Sequence, residues 1–331
     1  MFNVGPLTQE VNIEESTIYD VIIIGAGPAG FTTAIYTSRD GWNTLLIDKG
    51  GAGGLISTTH LMENYPGFPD GVDGSELMKK FQAQALRFGA KIVEFEPVET
   101  IEKSASPEFS GKPIFVVKTL SGKTIKGKSV LIATGSSPKE LGVPGEAEFR
   151  NRGVSYCATC DGPIYKGKDV VVVGCGNTGL QETEYLLMYV KSVTLLAHHE
   201  KVKAEKIHQE RVLNHPKIRC MFNYELIEIK GDQRIKSVLV KDKKKNEILE
   251  IPADAVFIYV GYRPATEFLR GLLALDNSGH IITDEKMRTS VEGIFAAGDV
   301  RANNPAQAAI AVGDGARAAL AIREYLQTFH N

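Results

Sequence analysis

The sequence predicts an α/β protein built from two doubly wound, Rossmann-like, three-layer dinucleotide-binding domains, the second inserted in the first. Three observations carry this. A continuous β-branched strand, a G-x-G-x-x-G turn and an amphipathic helix occur in succession twice. A buried-type strand that ends in Gly and then reaches Pro also occurs twice, and one late apolar strand has no matching repeat. At 331 residues the chain also exceeds what one small core fills, which favours two domains.

The first unit runs from Val21-Ile22-Ile23-Ile24 into Gly25-Ala26-Gly27-Pro28-Ala29-Gly30, a helix from Phe31 to Arg39, and a second strand from Asn43 to Asp48. The second repeats it: Val170 to Val173, then Gly174-Cys175-Gly176-Asn177-Thr178-Gly179, a helix from Leu180 to Tyr189, and a strand from Ser192 to Ala197. A glycine motif alone is weak. Placed between a strand and a helix it is strong, because two glycines let the backbone turn and approach a pyrophosphate. The third lets helix and strand pack closely, and the helix N-terminus faces the anion.

The second echo pairs Ser129 to Gly135, followed by Pro138, with Ala255 to Gly261, followed by Pro264. The late strand is Gly293 to Asp299. The economical reading is a discontinuous first domain, residues 1–138 and 264–331, interrupted by a second over residues 139–263.

Net charge is −2 and charged residues make up 24% of the chain, so no basic face is implied and nucleic-acid binding is not predicted. The densest basic run, Lys241 to Lys245 with Asp242 inside it, lies between strand-like segments and reads as a solvated hairpin turn. Residues Met1 to Thr17 lack the apolar centre of a signal peptide. No apolar run reaches the roughly 18 residues of a membrane span. A soluble cytoplasmic protein is expected.

The four cysteines, 157, 160, 175 and 220, are too few for a disulfide framework, and in a reducing compartment a close pair reads as catalytic. Cys157-Ala158-Thr159-Cys160-Asp161 is the chemical centre. Two intervening residues bring the thiols to disulfide distance within one helical turn, and such a setting lowers one thiol's pKa. A zinc site would need a second Cys or His pair nearby, and none exists, so no metal is expected. Asp161 is placed to move the protons of thiol exchange, although a capping role would also account for it. Asp48 ends the second strand where an acid takes ribose hydroxyls; with no Arg there to read a 2′-phosphate, an FAD adenosine fits. Cys175 reads as a small residue in a tight turn and Cys220 as core.

The order of these parts, an FAD-type fingerprint, C-A-T-C-D-G just before a second fingerprint, and a late G-I-F-A-A-G-D-V, resembles the low-molecular-weight thioredoxin reductases from about Tyr19 to the last helix. The resemblance implies a homodimer that passes electrons through FAD to the Cys157–Cys160 pair and on to thioredoxin or a glutaredoxin-like protein. Cys160 would lie against the flavin and Cys157 would attack the partner. Asn64, in Glu63 to Phe68, would belong to a loop over the flavin. Gly135, Gly298 and Asp299 would join Gly25, Gly27, Pro28, Ala29, Gly30 and Asp48 in holding FAD, and Ala306-Gln307-Ala308 would open the helix facing the ring's pyrimidine edge. A swivel about residues 136–138 and 262–264 is also implied, since one conformation cannot serve flavin and partner together.

The family's NADPH contacts are altered. Gly174, Gly176, Asn177, Thr178 and Gly179 form the candidate nucleotide turn, with Cys175 where a Gly is usual and Gly179 where Ala is common. His198 and His199 replace an arginine pair, and Lys203 stands in for a third. Neutral His offers one hydrogen bond where Arg offers a charged fork. No acid stands at Ala197 to favour NADH. The donor is therefore NADPH or NADH, or else a deazaflavin or reduced ferredoxin. Adjacent His198 and His199 are expected to point to opposite faces of a strand end. Phe329 is a candidate cover for the flavin. Two other functions compete: a ferredoxin- or flavodoxin-type flavin electron-transfer reductase, and a non-catalytic flavin redox sensor.

Overall fold

A computed structural model describes residues 13–105, 109 and 112–329; most of the N-terminal segment read above lies outside them. The chain divides into two compact units, Met1–Ser137 with Arg263–Asn331, and Pro138–Tyr262.

The first unit opens with β1 (Ile18–Ile24), α1 (Pro28–Arg39) and β2 (Thr44–Ile47), followed by α2 (Gly74–Arg87) and β3 (Lys91–Val93). Then come β4 (Val98–Ala105), β5 (Pro113–Thr119) and β6 (Thr124–Ile132). The sheet order is β3-β2-β1-β6-β5-β4, parallel through β6 and antiparallel beyond it. That 3-2-1-4 beginning is the doubly wound order. In β1 Val21 and Ile23 bury against the cluster containing Phe31 and Ala34 of α1, whereas Ile22 and Ile24 join Leu45 and Val130 on the other face. A strand covered on both faces reads as an uninterrupted apolar run for this reason.

The chain leaves through β7 (Ser136–Pro138) and builds the second unit. β8 (Val154–Ser155), α3 (Ala158–Asp161), β9 (Asp169–Val173), α4 (Asn177–Leu186), β10 (Ser192–Ala197), α5 (Lys206–Val212) and β11 (Ile218–Phe222) follow. A meander of β12 (Tyr224–Gly231), β13 (Ile235–Asp242) and β14 (Ile248–Pro252) precedes β15 (Ala255–Ile258). The parallel sheet β11-β10-β9-β15-β8 repeats the doubly wound order. Val171 and Val173 face one core, Val170 and Val172 the other.

β16 (Tyr262–Pro264) pairs with β7 where the chain returns. β17 (Ile294–Ala296) then adds to β6, and α6 (Ala308–Gln327) packs along α1. The late strand thus completes the first sheet. One length differs from expectation. α4 ends at Leu186, three residues short of the predicted Tyr189, because Met188 and Tyr189 close tighter turns onto Tyr185 and Leu186. Cys220 packs half-buried against the core that contains Val170 and Val172, its thiol near the Leu213 carbonyl at 3.9 Å. Among the described residues no helix is long and apolar enough to cross a membrane.

Candidate active site

In the first unit the glycine turn is closed on one side and open on the other. Gly25 has φ +113°, and a Cβ there would strike the Ala133 carbonyl; one on Gly30 would strike the carbonyl of Gly25. Gly27, the N-cap of α1, has nothing within 4 Å of its Cβ position, and neither has Gly135. Pro28 is the first helical residue and Ala29 is buried beneath the turn. Asp48 is held by the backbone, accepting from Ala26 N at 2.6 Å and Gly50 N at 2.8 Å. Burial raises its pKa against those hydrogen bonds.

The later segments meet there too. Asn64 donates to the Gln307 side chain at 3.2 Å, which joins the 63–68 loop to the start of α6. Ala306, at φ +52°, is fixed by Asn304 Oδ1, 2.8 Å from its N–H, and Ala308 begins the helix. Gly298 has φ +80° and gives its N–H to Asp314 at 3.1 Å. Among the described residues Asp299 Oδ1 is buried without a hydrogen-bond partner, and burial raises that carboxyl's pKa, with Asp314 adding to it. An orphaned buried carboxylate oxygen beside an open glycine face is what a ligand with hydroxyls and a pyrophosphate would complete. These residues fit a bound FAD.

Asp314, together with Arg301 and Asn304 beside it, is invisible in the motifs. It accepts from Arg301 at 2.9 and 3.0 Å, from Asn304 at 2.9 Å and from Gly298, so α6 fixes the Gly298–Asp299 turn. Phe329 does not stand free as a flavin cover. Its ring packs on Tyr325 and Phe109, at 5.3 and 5.7 Å, with Lys112 over it at 5.1 Å. An aromatic ring with those neighbours gains more by staying among them than by leaving.

In the second unit Cys157 and Cys160 form a disulfide, with Cα atoms 5.4 Å apart. Cys157 caps α3, its Sγ accepting from Cys160 N at 3.2 Å, and its own N–H is held by Ser155 Oγ at 3.1 Å. Cys160 is exposed and Cys157 half-buried. Asp161 closes the turn, its N–H reaching the Cys157 carbonyl at 3.2 Å. Glu182 of α4 also escaped the motifs. It is 9% exposed and accepts from Ala158 N at 3.1 Å, and burial raises its pKa to about 7.

The second glycine turn copies the first. Gly174 has φ +111°, Gly176 is open, and a Cβ on Gly179 would strike the Gly174 carbonyl. This turn leaves no room for a Cβ at Gly179. Asn177 is engaged with Glu205, accepting from its N–H at 2.7 Å and donating to its carboxylate at 3.1 Å, while Thr178 is half-buried behind it. Cys175 is half-buried, and burial raises its thiol pKa.

His198 and His199 do not point apart. β10 ends at Ala197, so strand alternation no longer applies, and the rings meet edge to face at 4.9 Å. Lys243 Nζ sits 2.7 Å from His198 Nε2, and Lys244 pairs with Glu200 at 2.7 Å. The lysine-rich hairpin therefore folds over this strand end rather than into solvent alone. Lys203 is exposed.

Two dinucleotide folds, one carrying a disulfide on a short helix just ahead of its glycine turn, define a disulfide oxidoreductase of the two-nucleotide type. Residues 19–315 match the family described as Pyridine nucleotide-disulphide oxidoreductase. The chain is 42% identical to a thioredoxin reductase of Treponema pallidum, over 95% of this chain and 99% of that protein, and 41% identical to one of Bacillus subtilis, over 95% and 97%. Among solved structures it is similar to thioredoxin reductases of Lactococcus lactis (TM-score 0.88, 39% identity, 93% of this chain and 99% of that one) and T. acidophilum (0.86, 42%, 92% and 98%). The chain belongs to the pyridine nucleotide-disulphide oxidoreductase family and, within it, to the low-molecular-weight thioredoxin reductases. FAD and a pyridine nucleotide are the cofactors that membership implies.

Proposed function

We propose that this protein reduces the disulfide of thioredoxin, or of a glutaredoxin-like protein, in the cytoplasm as a homodimer. The observation that carries the reading is the Cys157–Cys160 disulfide, set on α3 ahead of the second glycine turn. FAD, when bound, supplies the two electrons. Gly25, Gly27, Pro28, Ala29 and Gly30 would receive its pyrophosphate, and Asp48 its ribose. Gly135, Gly298 and Asp299 would hold the ribityl and phosphate region. Asn64, Ala306, Gln307 and Ala308 would line the ring.

Reduction breaks the S–S bond and leaves a thiolate and a thiol. Cys157, whose sulfur accepts from Cys160 N, attacks the partner's disulfide to give a mixed disulfide. Cys160 then attacks Cys157, and the partner leaves with both electrons; Asp161 supplies the proton to the departing thiol. The strands β7 and β16 are where the swivel would turn.

We further propose that the physiological donor is not NADPH. His198 is engaged with Lys243, and Lys244 is neutralised by Glu200. That leaves Lys243 itself and the exposed lysines 201 and 203 as the charges for a 2′-phosphate, with no arginine fork among them. Gly174, Gly176, Asn177, Thr178 and Gly179 remain the surface a nucleotide such as NADH would use. Anaerobic titration with NADPH, NADH, a reduced deazaflavin and reduced ferredoxin tests this: bleaching of the flavin by micromolar NADPH overturns it. Steady reduction of thioredoxin with any of these donors excludes a redox sensor, and its survival in Cys157→Ser would favour an electron-transfer reductase instead.

A further inference from the structure

Glu182 lies in the second turn of α4, almost sealed from solvent. A carboxylate so buried ordinarily keeps a cation or several donors beside it. Among the described residues it forms no ion pair, and its hydrogen bond comes from the backbone N–H of Ala158. That N–H belongs to the turn that carries the redox pair. Two neighbouring N–H groups of one turn thus serve two acceptors, Ala158 N the Glu182 carboxylate and Cys160 N the Cys157 sulfur.

Among the described residues the cation felt nearby is Arg234, which acts on Tyr165 and not on Glu182. Just past the end of β15 stands Tyr259, on which Glu182, Tyr262 and Asp161 of α3 all act. The Tyr259 hydroxyl is buried beside the same Ala158 N–H, and Glu182 is the strongest charge acting on it. Burial raises the pKa of Tyr165, just beyond α3, with Asp161 adding to it and Arg234 opposing. The cations of α5 turn to a different residue of α4: His208 and Arg211 stand 3.6 and 3.4 Å from Glu184.

We infer that Glu182 is a positioning and proton-holding residue for the Cys157–Cys160 pair, ionised beside the disulfide at mildly alkaline pH and protonated beside the reduced thiols. The inference rests on the reading of that pair as the redox centre. Two electrons enter the disulfide and the S–S bond breaks. One proton goes to one sulfur, and the other sulfur stays a thiolate. The second proton goes to Glu182, because a new negative charge on the same turn favours its neutral form. When the pair is oxidised by the partner, the two electrons leave with it and both protons are released. A group already near neutrality makes this exchange cheap.

The test is a redox-difference infrared spectrum of the full-length, flavin-loaded protein, poised oxidised and reduced with a chemical dithiol at mildly alkaline pH. A protonated-carboxyl band should appear on reduction and shift when glutamate alone carries carbon-13, which separates Glu182 from Asp161. Absence of a glutamate band overturns the inference. In a second arm, the pair is equilibrated with dithiol buffers and its thiols are counted by alkylation and mass. Just above neutral pH the wild-type equilibrium constant should change by one factor of ten more per pH unit than that of Glu182→Gln, with Glu182→Asp restoring part of the difference. Equal slopes overturn it. Because the reductant is a small dithiol, neither arm depends on the donor or partner; retained turnover in Cys157→Ser would instead overturn the functional reading.

Discussion

Asp314 grips Arg301 with both carboxylate oxygens, Oδ2 to Nε at 2.9 Å and Oδ1 to Nη2 at 3.0 Å. The same carboxylate takes the Gly298 N–H, so the last helix sets the turn that presents Asp299. The pair is largely buried, with side chains 16% and 7% exposed. Asp314→Asn leaves the guanidinium without its countercharge and should cost about 3 kcal/mol. Urea unfolding would measure the loss, and faster release of flavin, followed by its fluorescence, would report the loosened turn.

The glycines of the first turn should separate cleanly by substitution. Gly30→Ala puts a methyl group against the Gly25 carbonyl and should destabilise by about 1–3 kcal/mol. Gly27→Ala meets no atom within 4 Å, so the fold should keep its stability. Its methyl would stand on the open face, and flavin binding should weaken at least tenfold. Thermal unfolding and flavin titration of the apoprotein distinguish the two.

The cysteines should differ in what they trap. Cys160→Ser leaves Cys157 able to attack but nothing to resolve the product, so a covalent complex with thioredoxin should accumulate and be seen by mass. Cys157→Ser should form no such complex and lose disulfide reduction entirely. A stable complex through Cys160 would reverse the assigned order.

Glu96 makes a prediction in acid. It is 5% exposed, and burial alone would raise its pKa; hydrogen bonds from Lys123, Ser121 and Thr119 outweigh that and hold it at about 2. A depressed carboxyl contributes stability that is present above its unfolded value of 4.5 and is lost as pH falls through about 2. Lys123→Met should remove about 1–3 kcal/mol at neutral pH, and the variant should lose less on acidification across that window. Urea midpoints at neutral pH and near pH 3 give both numbers.

Much of this architecture can be read from local pattern. The runs Val21 to Ile24 and Val170 to Val173, each followed by its glycine turn, fix two strand–turn–helix units because the glycines leave no alternative geometry. The cysteine spacing likewise confines the pair to one turn. Glu182 could not be found that way. In Gln181-Glu182-Thr183-Glu184 the two glutamates are the same letter, yet one is sealed against α3 and the other meets Arg211 near solvent. Asp314 escaped for a similar reason, since its partners Gly298 and Arg301 lie on a turn whose approach to α6 is set by tertiary packing. The His198–His199 contact is illegible in strand alternation because the strand ends one residue earlier, at Ala197.

The interrupted first unit has a consequence for synthesis. β17 joins β6, and α6 covers α1, only after the whole second unit has been translated. On a ribosome, where domains fold as they emerge, the contiguous unit with the disulfide can finish while its interrupted neighbour still lacks a strand and a helix. Asp48 and the first glycine turn are among the earliest residues made, yet Asp299 and Gln307, proposed to hold the same cofactor, are among the latest. A chain released short of β17 would keep its thiol chemistry in a folded body and have no finished place to receive the electrons that drive it.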